Sequence, residues 1–462
     1  MLTQLVVGNA CVTVGMFGKY LNNVPNFRPV GFDQWMANGG GDYIAPSFQM
    51  YDIPSVPESA GKLYTWHGTD DAANYSTAVI GNMSLAFIRK AVSEQKPFMA
   101  YIAPKAAHEP FNPAPWYVGH WDDSWPAQEP RPPNWNASFE SRKEHHGNIA
   151  TEPLITDAEA AVITGVFKDR WRTLMSVDDV IGDVIDLCES LNVADNTYFL
   201  YSSDHGFQLG EFNIAMDKRN VYDWNTRIHL LARGPGIPHG VEWKEPATQV
   251  DIAPTFLGFA GVAKPEQMDG KSLVPLLTHP SLRHELNPTT IQHLERDLDA
   301  LSTDGDLAYK AAWRDCVFIE YYYNDYNAKC MGDCTPPAVG FPDRDSGCVD
   351  LESDPNSVCW QGCKSNCYET ETPQNNYIAI RNMPGSKMGD TLYAEYQSGA
   401  SNQSWTNMIN IDFDKIDFVE YYDSSADPWQ MKNLHKTAAK DTLSALHEKV
   451  QSWYRCKGDA CP

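Results

Sequence analysis

The chain has 462 residues, of which 42% are hydrophobic, and a formal net charge of −24. This length accommodates one large domain and a smaller one, with enough apolar residues for a sizeable core. Because an acidic chain lacks the basic surface that nucleic acid requires, we expect no nucleic-acid partner. No stretch reaches the roughly 18–20 apolar residues of a membrane span, so we expect none. Oligomeric state is left open by these properties.

The first half of the chain contains alternating helix and strand signals. Residues 1–10 have no basic segment and a short, interrupted apolar run, which does not predict a signal peptide. Residues 84–95 show helical periodicity, and residues 98–103 read as a buried strand, with His108 in the loop that follows. Residues 116–146 are rich in Pro, Trp, Asn and charge, which predicts a long surface excursion.

A long amphipathic helix and a second buried strand come next. Thr156 and Glu159 form a predicted capping box, and an apolar stripe follows at a spacing of three or four. The stripe consists of Ile163, Phe167, Trp171, Leu174, Val177, Ile181, Val184, Cys188 and Leu191. Residues 197–201 then read as a strand, and the strand–helix–strand order predicts a parallel crossover.

The second predicted strand leads directly into Asp204, His205 and Gly206. In α/β sheets, ligands bind beyond the carboxyl ends of the strands, so an acid and an imidazole at this position form a candidate metal site. A plain Asp-His-Gly turn is the alternative interpretation, because Asp and Gly are common in turns.

The last third has a different character, with four strand-like runs near residues 317–323, 376–381, 391–396 and 417–422, and a helix over 436–455. We therefore predict an α/β fold with a large mixed, mostly parallel sheet flanked by helices, and a smaller C-terminal subdomain of antiparallel sheet plus helix. The predicted division places residues 1–300 in the first domain and residues 301–462 in the cysteine-rich second.

Cysteines and sequons indicate an oxidising compartment. Nine of the 11 cysteines lie in the last third. Cys363 and Cys367 resemble a zinc half-site, but no His cluster accompanies them, so a disulfide framework is favoured. We predict that Cys456 pairs with Cys461 and that Cys188 is an unreactive core thiol. Candidate N-glycosylation sites are Asn74, Asn82, Asn136 and Asn402.

Several segments, in this order, carry a family resemblance. They are residues 17–22 (Phe-Gly-Lys-Tyr-Leu-Asn), 31–35, 103–110, 204–206, 217–222 and 227–236. Together they resemble the sulfatase family of the alkaline phosphatase superfamily, nearest to the N-acetylglucosamine-6-sulfatases. The resemblance implies a sulfuric ester hydrolase that acts on a sulfated glycan or an aryl sulfate.

The resemblance also implies roles for individual residues. Lys19, His108 and Lys218 match the catalytic groups that contact sulfate or protonate the leaving oxygen. Asp204 and His205 match ligands of a divalent metal, with Ca²⁺ expected first and Mg²⁺ or Mn²⁺ as alternatives. An anionic ester needs a local positive pocket in this acidic protein, which Lys105 and Arg219 would extend. The alternative for each lysine is an ordinary surface residue, and for His108 a structural loop histidine.

Two family features are not found in these 462 residues. The formylglycine motif, Cys/Ser-x-Pro-Ser-Arg, does not occur, and neither does the N-terminal Asp-Asp metal pair that the family has at the end of its first strand. We therefore expect an N-terminally shortened sulfatase that is inactive as written, and a secreted or lysosomal full-length protein. The alternatives are a degenerate sulfatase-like protein that binds glycans without cleaving them, and a phosphate-ester hydrolase of the same superfamily.

Overall fold

The computed structural model describes residues 6–7, 10–22, 24–120, 128–150, 152, 154–299, 309–322, 375–397 and 411–461. The strands are β1 (Val6–Val7), β2 (Ala10–Cys11), β3 (Thr13–Lys19), β4 (Gln34–Asn38), β5 (Ser47–Tyr51), β6 (Tyr64–His67), β7 (Phe98–Ala103), β8 (Phe199–Ser202), β9 (Leu230–Arg233), β10 (Cys316–Tyr321), β11 (Asn376–Asn382), β12 (Thr391–Gln397) and β13 (Phe418–Asp423). The helices are α1 (Ser76–Ser93), α2 (Phe139–Arg142), α3 (Gly147–Ala150), α4 (Asp157–Ser190), α5 (Asp223–Thr226), α6 (Ile252–Phe259), α7 (Val274–Leu277), α8 (Pro288–Asp299) and α9 (Lys440–Arg455).

The central sheet has five strands in the order β6-β5-β4-β3-β7. β3 pairs in parallel with β4 and with β7, whereas β4–β5 and β5–β6 are antiparallel. All residues of β4 are buried, as expected for a strand that is covered on both faces. The predicted α/β class with a large mixed sheet is confirmed.

Helices cover both faces of this sheet. On one face, Phe17 of β3 packs in a cluster with Phe87 of α1 and Cys188 of α4. On the other face, Val14 of β3 packs with Leu257 of α6. The sheet therefore forms the middle layer of a helix–sheet–helix sandwich.

The long helix α4 begins at the predicted capping box. The Thr156 hydroxyl accepts the backbone N–H of Glu159 at 3.3 Å, and the Glu159 carboxylate accepts the backbone N–H of Thr156 at 2.8 Å. Most of the predicted stripe faces inward, although Trp171 is 39% exposed. Cys188 is a free, fully buried thiol as predicted, and burial raises its pKa.

The strand after α4 pairs differently from the prediction. β8 forms a two-stranded antiparallel sheet with β9, and in the described part of the chain no ladder joins it to β7. The predicted parallel crossover from β7 to β8 is therefore wrong in one respect: the two strands do not pair with each other in the described part of the chain. β8 still lies against the α1–α4 cluster, because Phe199 packs against it, as Ile102 of β7 also does.

The C-terminal sheet has the order β10-β11-β12-β13 and is antiparallel throughout. α9 packs on it through Leu446 and Val450. On its other face, Tyr377 and Tyr396 share a buried cluster with Tyr222 of the first part of the chain. The antiparallel subdomain is confirmed, whereas the boundary near residue 300 stays a prediction.

The segment predicted as a surface excursion is only partly exposed. Arg142 and His145 are 1% and 2% exposed. The Arg142 guanidinium donates to the carbonyls of Ala137, Ile149 and Glu152, which explains how a charged side chain tolerates burial here. The surface interpretation agrees with the exposed residues of this stretch but was wrong for Arg142 and His145, because charge in a sequence does not reveal such internal acceptors.

A disulfide bond joins Cys456 to Cys461, with a Cα–Cα distance of 4.9 Å. Cys316 is a free, buried thiol in the C-terminal subdomain. The cysteines at 330, 334, 348, 359, 363 and 367 lie outside the described residues, so their predicted bridging stays a prediction.

Of the candidate sequons, Asn82 is exposed and Asn74 is half-buried. The Asn136 amide exchanges hydrogen bonds with the backbone of Ile155, at 3.0 Å and 2.7 Å. Asn402 lies outside the described residues. Glycosylation at these positions stays a prediction.

Candidate active site

Lys19 lies at the carboxyl end of β3, next to the end of the parallel strand β7. The preceding residue, Gly18, has φ +116°, and a Cβ there would lie 2.1 Å from the carbonyl oxygen of Ala103. Glycine is required because the two strand ends approach so closely. This contact places the Lys19 backbone beside the loop that carries Lys105 and His108.

Hydrogen bonds from its backbone and its ring hold His108 in that loop. Its carbonyl oxygen accepts the hydroxyl of the buried Tyr43 at 2.7 Å, and its Nδ1 lies 3.1 Å from the carbonyl oxygen of Glu109. Because a carbonyl only accepts, we assign the ring proton to Nδ1, which leaves Nε2 as an acceptor. The carbonyl oxygen of Glu109 therefore decides which ring nitrogen of His108 carries the proton.

Three lysines act on His108 by their charge. Burial, followed by the charges of Lys218, Lys19 and then Lys105, lowers the pKa of His108 to about 3. The imidazole is therefore neutral at pH 7. The charges of all three lysines thus reach one imidazole, although the lysines are far apart in sequence.

The lysines themselves are partly desolvated. Burial lowers the pKa of Lys218, and the neighbouring charge of Arg219 adds to this effect. Burial also lowers the pKa of Lys105, whose Nζ donates to the carbonyl oxygen of Gly41. Arg219 forms an ion pair with Asp217 at 2.6 Å, and its predicted part in the positive pocket stays a prediction.

Asp204 and His205 follow β8 and face each other. His205 Nε2 lies 3.1 Å from Asp204 Oδ2, and His205 Nδ1 lies 2.7 Å from the carbonyl oxygen of Gly206. If Nδ1 donates to that carbonyl, the Nε2 lone pair points at a carboxylate oxygen. Two acceptors would then face each other, and either a proton on Nε2 or a cation bound between them would make the contact favourable.

Gly206 is required by packing rather than by its φ angle. A Cβ at this position would lie 2.0 Å from the carbonyl oxygen of Trp224. Its N–H donates to the carbonyl oxygen of Asn225 at 2.7 Å. This tight contact fixes the turn that carries Asp204 and His205.

Electrostatics connects this turn with the lysines. Burial opposes ionisation of Asp204, but the hydrogen bond from His205 and the charges of His205, Lys218 and Lys19 outweigh it and hold the pKa below its usual value. The Asp204 side chain is 69% exposed, so solvent weakens these effects. The charges of Lys19 and Lys218 thus act on both His108 and Asp204, as expected if these residues share one site.

Gln249 is a site residue that the sequence interpretation missed. Its side-chain amide donates to the carbonyl oxygens of Ser203 and Asp204, at 2.8 Å and 2.5 Å. A capping box formed by Thr248 and Asp251 positions it at the start of a short 3-10 turn. The Thr-x-x-Asp pattern is the sequence signal from which this turn could have been predicted.

The candidate metal ligands form an incomplete set. The oxygen of Asp204 and the imidazole of His205 suit a divalent cation in their chemistry, but a hard ion takes about six or more ligands. Within the described ranges, no group of three or more His, Cys, Asp or Glu side chains is placed to hold a metal ion. The residues present therefore do not complete a metal shell.

Comparison with known proteins decides the family. The sulfatase family model matches residues 9–262, which is more than half of the chain. The chain belongs to the sulfatase family. Its members are sulfuric ester hydrolases, in agreement with the expectation from the ordered segments. The site described above lies within the matched range.

Individual relatives agree with this assignment. The human N-acetylglucosamine-6-sulfatase is 26% identical over 453 residues, which cover 96% of this chain and 67% of that protein. The extracellular sulfatase SULF-1 homolog of Drosophila melanogaster is 32% identical over 277 residues, covering 59% of this chain and 23% of that protein. The chain thus spans about two thirds of the first relative and under a quarter of the second.

A solved structure supports the fold. BT4656, in complex with its substrate D-glucosamine-2-N,6-O-disulfate, superposes with a TM-score of 0.59 at 20% identity, covering 95% of this chain and 78% of that chain. No helix in the described residues has the length and apolar character that a membrane crossing would need.

Proposed function

We propose that the protein is a sulfuric ester hydrolase of sulfated glycans, resembling N-acetylglucosamine-6-sulfatase, and that this site binds the sulfate group. The observation that carries the proposal is that the charges of Lys19, Lys105 and Lys218 all act on the half-buried, neutral His108. A cluster of partly buried cations in a chain of net charge −24 is suited to an anion. The homologue names and the sulfated ligand of BT4656 support the glycan class.

Each side chain has a distinct part in this proposal. Lys19 and Lys218 neutralise the sulfate oxygens as point charges. His108, neutral without ligand, gains a proton more readily once an anion offsets the lysine charges, and can then donate to the leaving oxygen. Asp204 and His205 are proposed as two ligands of a divalent cation, with Ca²⁺ first, and no step is assigned to that ion.

The proposed location is a secreted or lumenal compartment. The disulfide between Cys456 and Cys461 supports an oxidising environment. The candidate sequons and the relative named as extracellular agree with it.

Calorimetric titration with glucosamine-6-sulfate, glucosamine-6-phosphate and glucosamine tests the proposal. Lys218→Ala and Lys19→Ala should each weaken sulfate-ester binding by roughly tenfold or more, because a charge-assisted contact contributes about 1.5–3 kcal/mol. Lys415→Ala is the matched control, since Lys415 is 80% exposed and pairs with Asp412. Its affinity should match that of the unmodified chain.

The outcomes separate the candidate functions. We expect binding without turnover, since the 462 residues contain no Cys/Ser-x-Pro-Ser-Arg sequence to supply the family nucleophile. Tighter binding of the phosphate ester would favour a phosphate-ester hydrolase. Equal affinity for glucosamine and its sulfate would contradict a sulfate site.

A further inference from the structure

A cavity of about 510 Å³ lies at the end of the central sheet that is opposite Lys19. Thr13 and Gln34, the first residues of the parallel strands β3 and β4, line it together with Tyr51, the last residue of the antiparallel β5. Because a strand rises about 3.3 Å per residue, roughly 20 Å of β3 separate Thr13 from Lys19. The cavity is thus distinct from the candidate active site, and its volume lies within the roughly 300–1,000 Å³ of small-molecule sites.

The floor of the cavity is apolar. Ile53, Phe87 and Ala91 line it, and all three are buried. Ile53 and Phe87 also belong to the cluster that packs α1 against the sheet, so the surrounding core holds this floor in place. Pro54 and Pro57 line the cavity as well, and their rings restrict the backbone of the loop after β5. The floor therefore offers a preformed contact surface to the apolar part of a ligand.

One buried polar side chain in this cavity lacks a partner. Gln34 is 4% exposed, and among the described residues its side-chain amide forms no hydrogen bond. A buried amide without a partner costs free energy, so most such groups in folded proteins are paired with protein, water or ligand. Since the side chain of Gln34 lines the cavity, a polar group bound there would pair with it.

A guanidinium group lines the same cavity without a carboxylate partner. Arg28 lies over the ring of Tyr51, with 4.4 Å from its central guanidinium carbon to the ring centroid, and donates one N–H to the carbonyl oxygen of Phe32. It forms no ion pair within the ranges that the structure describes. The planar fork of a guanidinium fits a carboxylate through two parallel hydrogen bonds. The ring and the carbonyl hold Arg28 in place and leave further N–H groups for a ligand.

Two carboxylates line the cavity without a cationic partner. Asp33 Oδ2 accepts the backbone N–H of Val14 at 2.8 Å, and Asp52 Oδ1 accepts that of Gly61 at 2.7 Å. In the described part of the chain neither carboxylate forms an ion pair, with Arg28 or with any other cation. Each therefore keeps one oxygen available as an acceptor. Opposite charges that share a cavity without pairing are complementary to a ligand that carries both charges.

The remaining charged residues of the cavity pair with one another at its rim. The carboxylate of Glu94 lies 2.8 Å from Lys96 Nζ and 3.9 Å from Lys90 Nζ. Because the charge of Glu94 is offset within this group, we assign ligand recognition to Arg28 and the two aspartates.

We propose that this cavity binds a free α-amino acid with a large apolar side chain. Arg28 receives its carboxylate in a bidentate pair, and Asp33 and Asp52 accept its ammonium group. Its side chain packs on the floor that contains Phe87, and the Gln34 amide supplies a further hydrogen bond. This site is additional to the proposed sulfate site, and neither requires the other.

Calorimetric titration with L-phenylalanine tests the proposal, and thermal unfolding measures the accompanying stabilisation. We expect one saturable site with a Kd below about 1 mM, in line with the binding free energy per atom of small ligands. The Tm should rise with ligand concentration. Neither measurement depends on sulfate binding or turnover, so this test and that of the proposed function fail or succeed separately.

Three ligand analogues each remove one feature. The compound 3-phenylpropanoate lacks the ammonium group, phenethylamine lacks the carboxylate, and glycine lacks the apolar side chain. Each should bind roughly tenfold or more weakly than phenylalanine, because it loses either a charge-assisted hydrogen bond or the apolar contact.

Protein variants assign the charges. Arg28→Gln should weaken phenylalanine binding by roughly tenfold or more and leave the affinity for phenethylamine unchanged. Asp33→Asn and Asp52→Asn each keep an oxygen for the backbone N–H that the acid accepts. Combined, they should reduce the affinity for phenylalanine to that for 3-phenylpropanoate. Arg455→Gln is the matched control, since Arg455 lies on α9 with its side chain 59% exposed, and it should bind phenylalanine normally.

Some results would overturn the proposal. Absence of saturable binding at the highest soluble phenylalanine concentration would refute it. Equal affinity for phenylalanine and 3-phenylpropanoate would also refute it and would assign the cavity to simple carboxylates. Unchanged phenylalanine affinity in a folded Arg28→Gln variant would exclude the assigned carboxylate contact. Because the analogue series uses the unmodified chain, the test stays decisive if Arg28→Gln does not fold.

Discussion

The carboxylate of Glu420 accepts the backbone N–H of His146 at 2.7 Å, although 274 residues separate them in the sequence. Glu420 lies on β13 and is fully buried, whereas His146 belongs to the segment before α3. The hydroxyls of Tyr222 and Tyr396 also donate to this carboxylate, each at 3.1 Å. The C-terminal sheet is thus joined to the α/β part by a buried polar network as well as by apolar packing.

This network predicts a pH dependence of stability. Burial, opposed by the hydrogen bonds, raises the pKa of Glu420 to about 7. Between the usual carboxyl pKa and about 7 the folded chain binds more protons than the unfolded chain, so this contribution is present at low pH and is lost as pH rises. As pH rises from below the usual carboxyl pKa to above about 7, we expect the free energy of unfolding to fall by roughly 3 kcal/mol. Each unit by which the pKa of Glu420 differs between the folded and the unfolded chain corresponds to about 1.4 kcal/mol.

Urea unfolding of the unmodified chain and of Glu420→Gln at pH 5 and pH 8 measures this effect. Between pH 5 and pH 8 the free energy of unfolding should fall more for the unmodified chain than for Glu420→Gln, because a glutamine does not ionise. The comparison would cancel the contributions of ionisable groups distant from residue 420, which both proteins share. The exposed Glu448→Gln variant is the control. A pH-independent difference would contradict the assignment.

The neutral state of His108 predicts how an anion couples to protonation. Sulfate bound among the lysines offsets the charges that lower the pKa of His108, so the ring should titrate at higher pH in its presence. NMR of the imidazole between pH 5 and 8 should show no titration without sulfate and the onset of titration with it. Sulfate affinity should rise as pH falls, and His108→Gln should remove this dependence. A free-protein pKa near 6.5 would show that the ring is not held in its neutral form.

The incomplete ligand set predicts weak metal binding. Asp204 and His205 supply two donors, so the dissociation constant for Ca²⁺ should exceed about 1 mM, the weak end of protein sites. At 1 mM Ca²⁺ the stabilisation should then stay below about 0.4 kcal/mol. Calorimetry and thermal unfolding measure both quantities, with Asp204→Ala as the control. Micromolar affinity that Asp204→Ala abolishes would show that further ligands complete the site.

The C-terminal disulfide predicts a measurable stabilisation. The bond closes a six-residue loop, and Gly458 within it donates its N–H to Asp269 at 2.5 Å, which anchors the tail to the α/β part. Cys461→Ser should lower the free energy of unfolding by about 2 kcal/mol, from the loop length. Dithiothreitol should lower the stability of the unmodified chain by about 2 kcal/mol more than that of the variant, which keeps only the bridges predicted among the cysteines at 330–367. An equal loss in both proteins would attribute the effect to another bond.

Local sequence patterns predicted much of the secondary structure. Residues 98–103 form a strand with the predicted bounds, and α4 begins at the capping box of Thr156 and Glu159. Its apolar stripe indicated which face is buried, including Cys188. Such features depend on contacts within one turn or one strand, so the residue order contains the necessary information. The ordered segments also indicated the sulfatase family.

Tertiary structure decided the partners of these elements and the chemistry of the site. The pairing of β8 with β9 and the neutral state of His108 depend on groups distant in sequence or on burial. Gln249 acquired its role in the same way, by reaching the carbonyls after β8. Residue order by itself determined periodicity, caps and family. Strand pairing, desolvation and the electrostatic environment of each charge arise only when distant segments pack together, because those energies depend on distance in space rather than on separation along the chain.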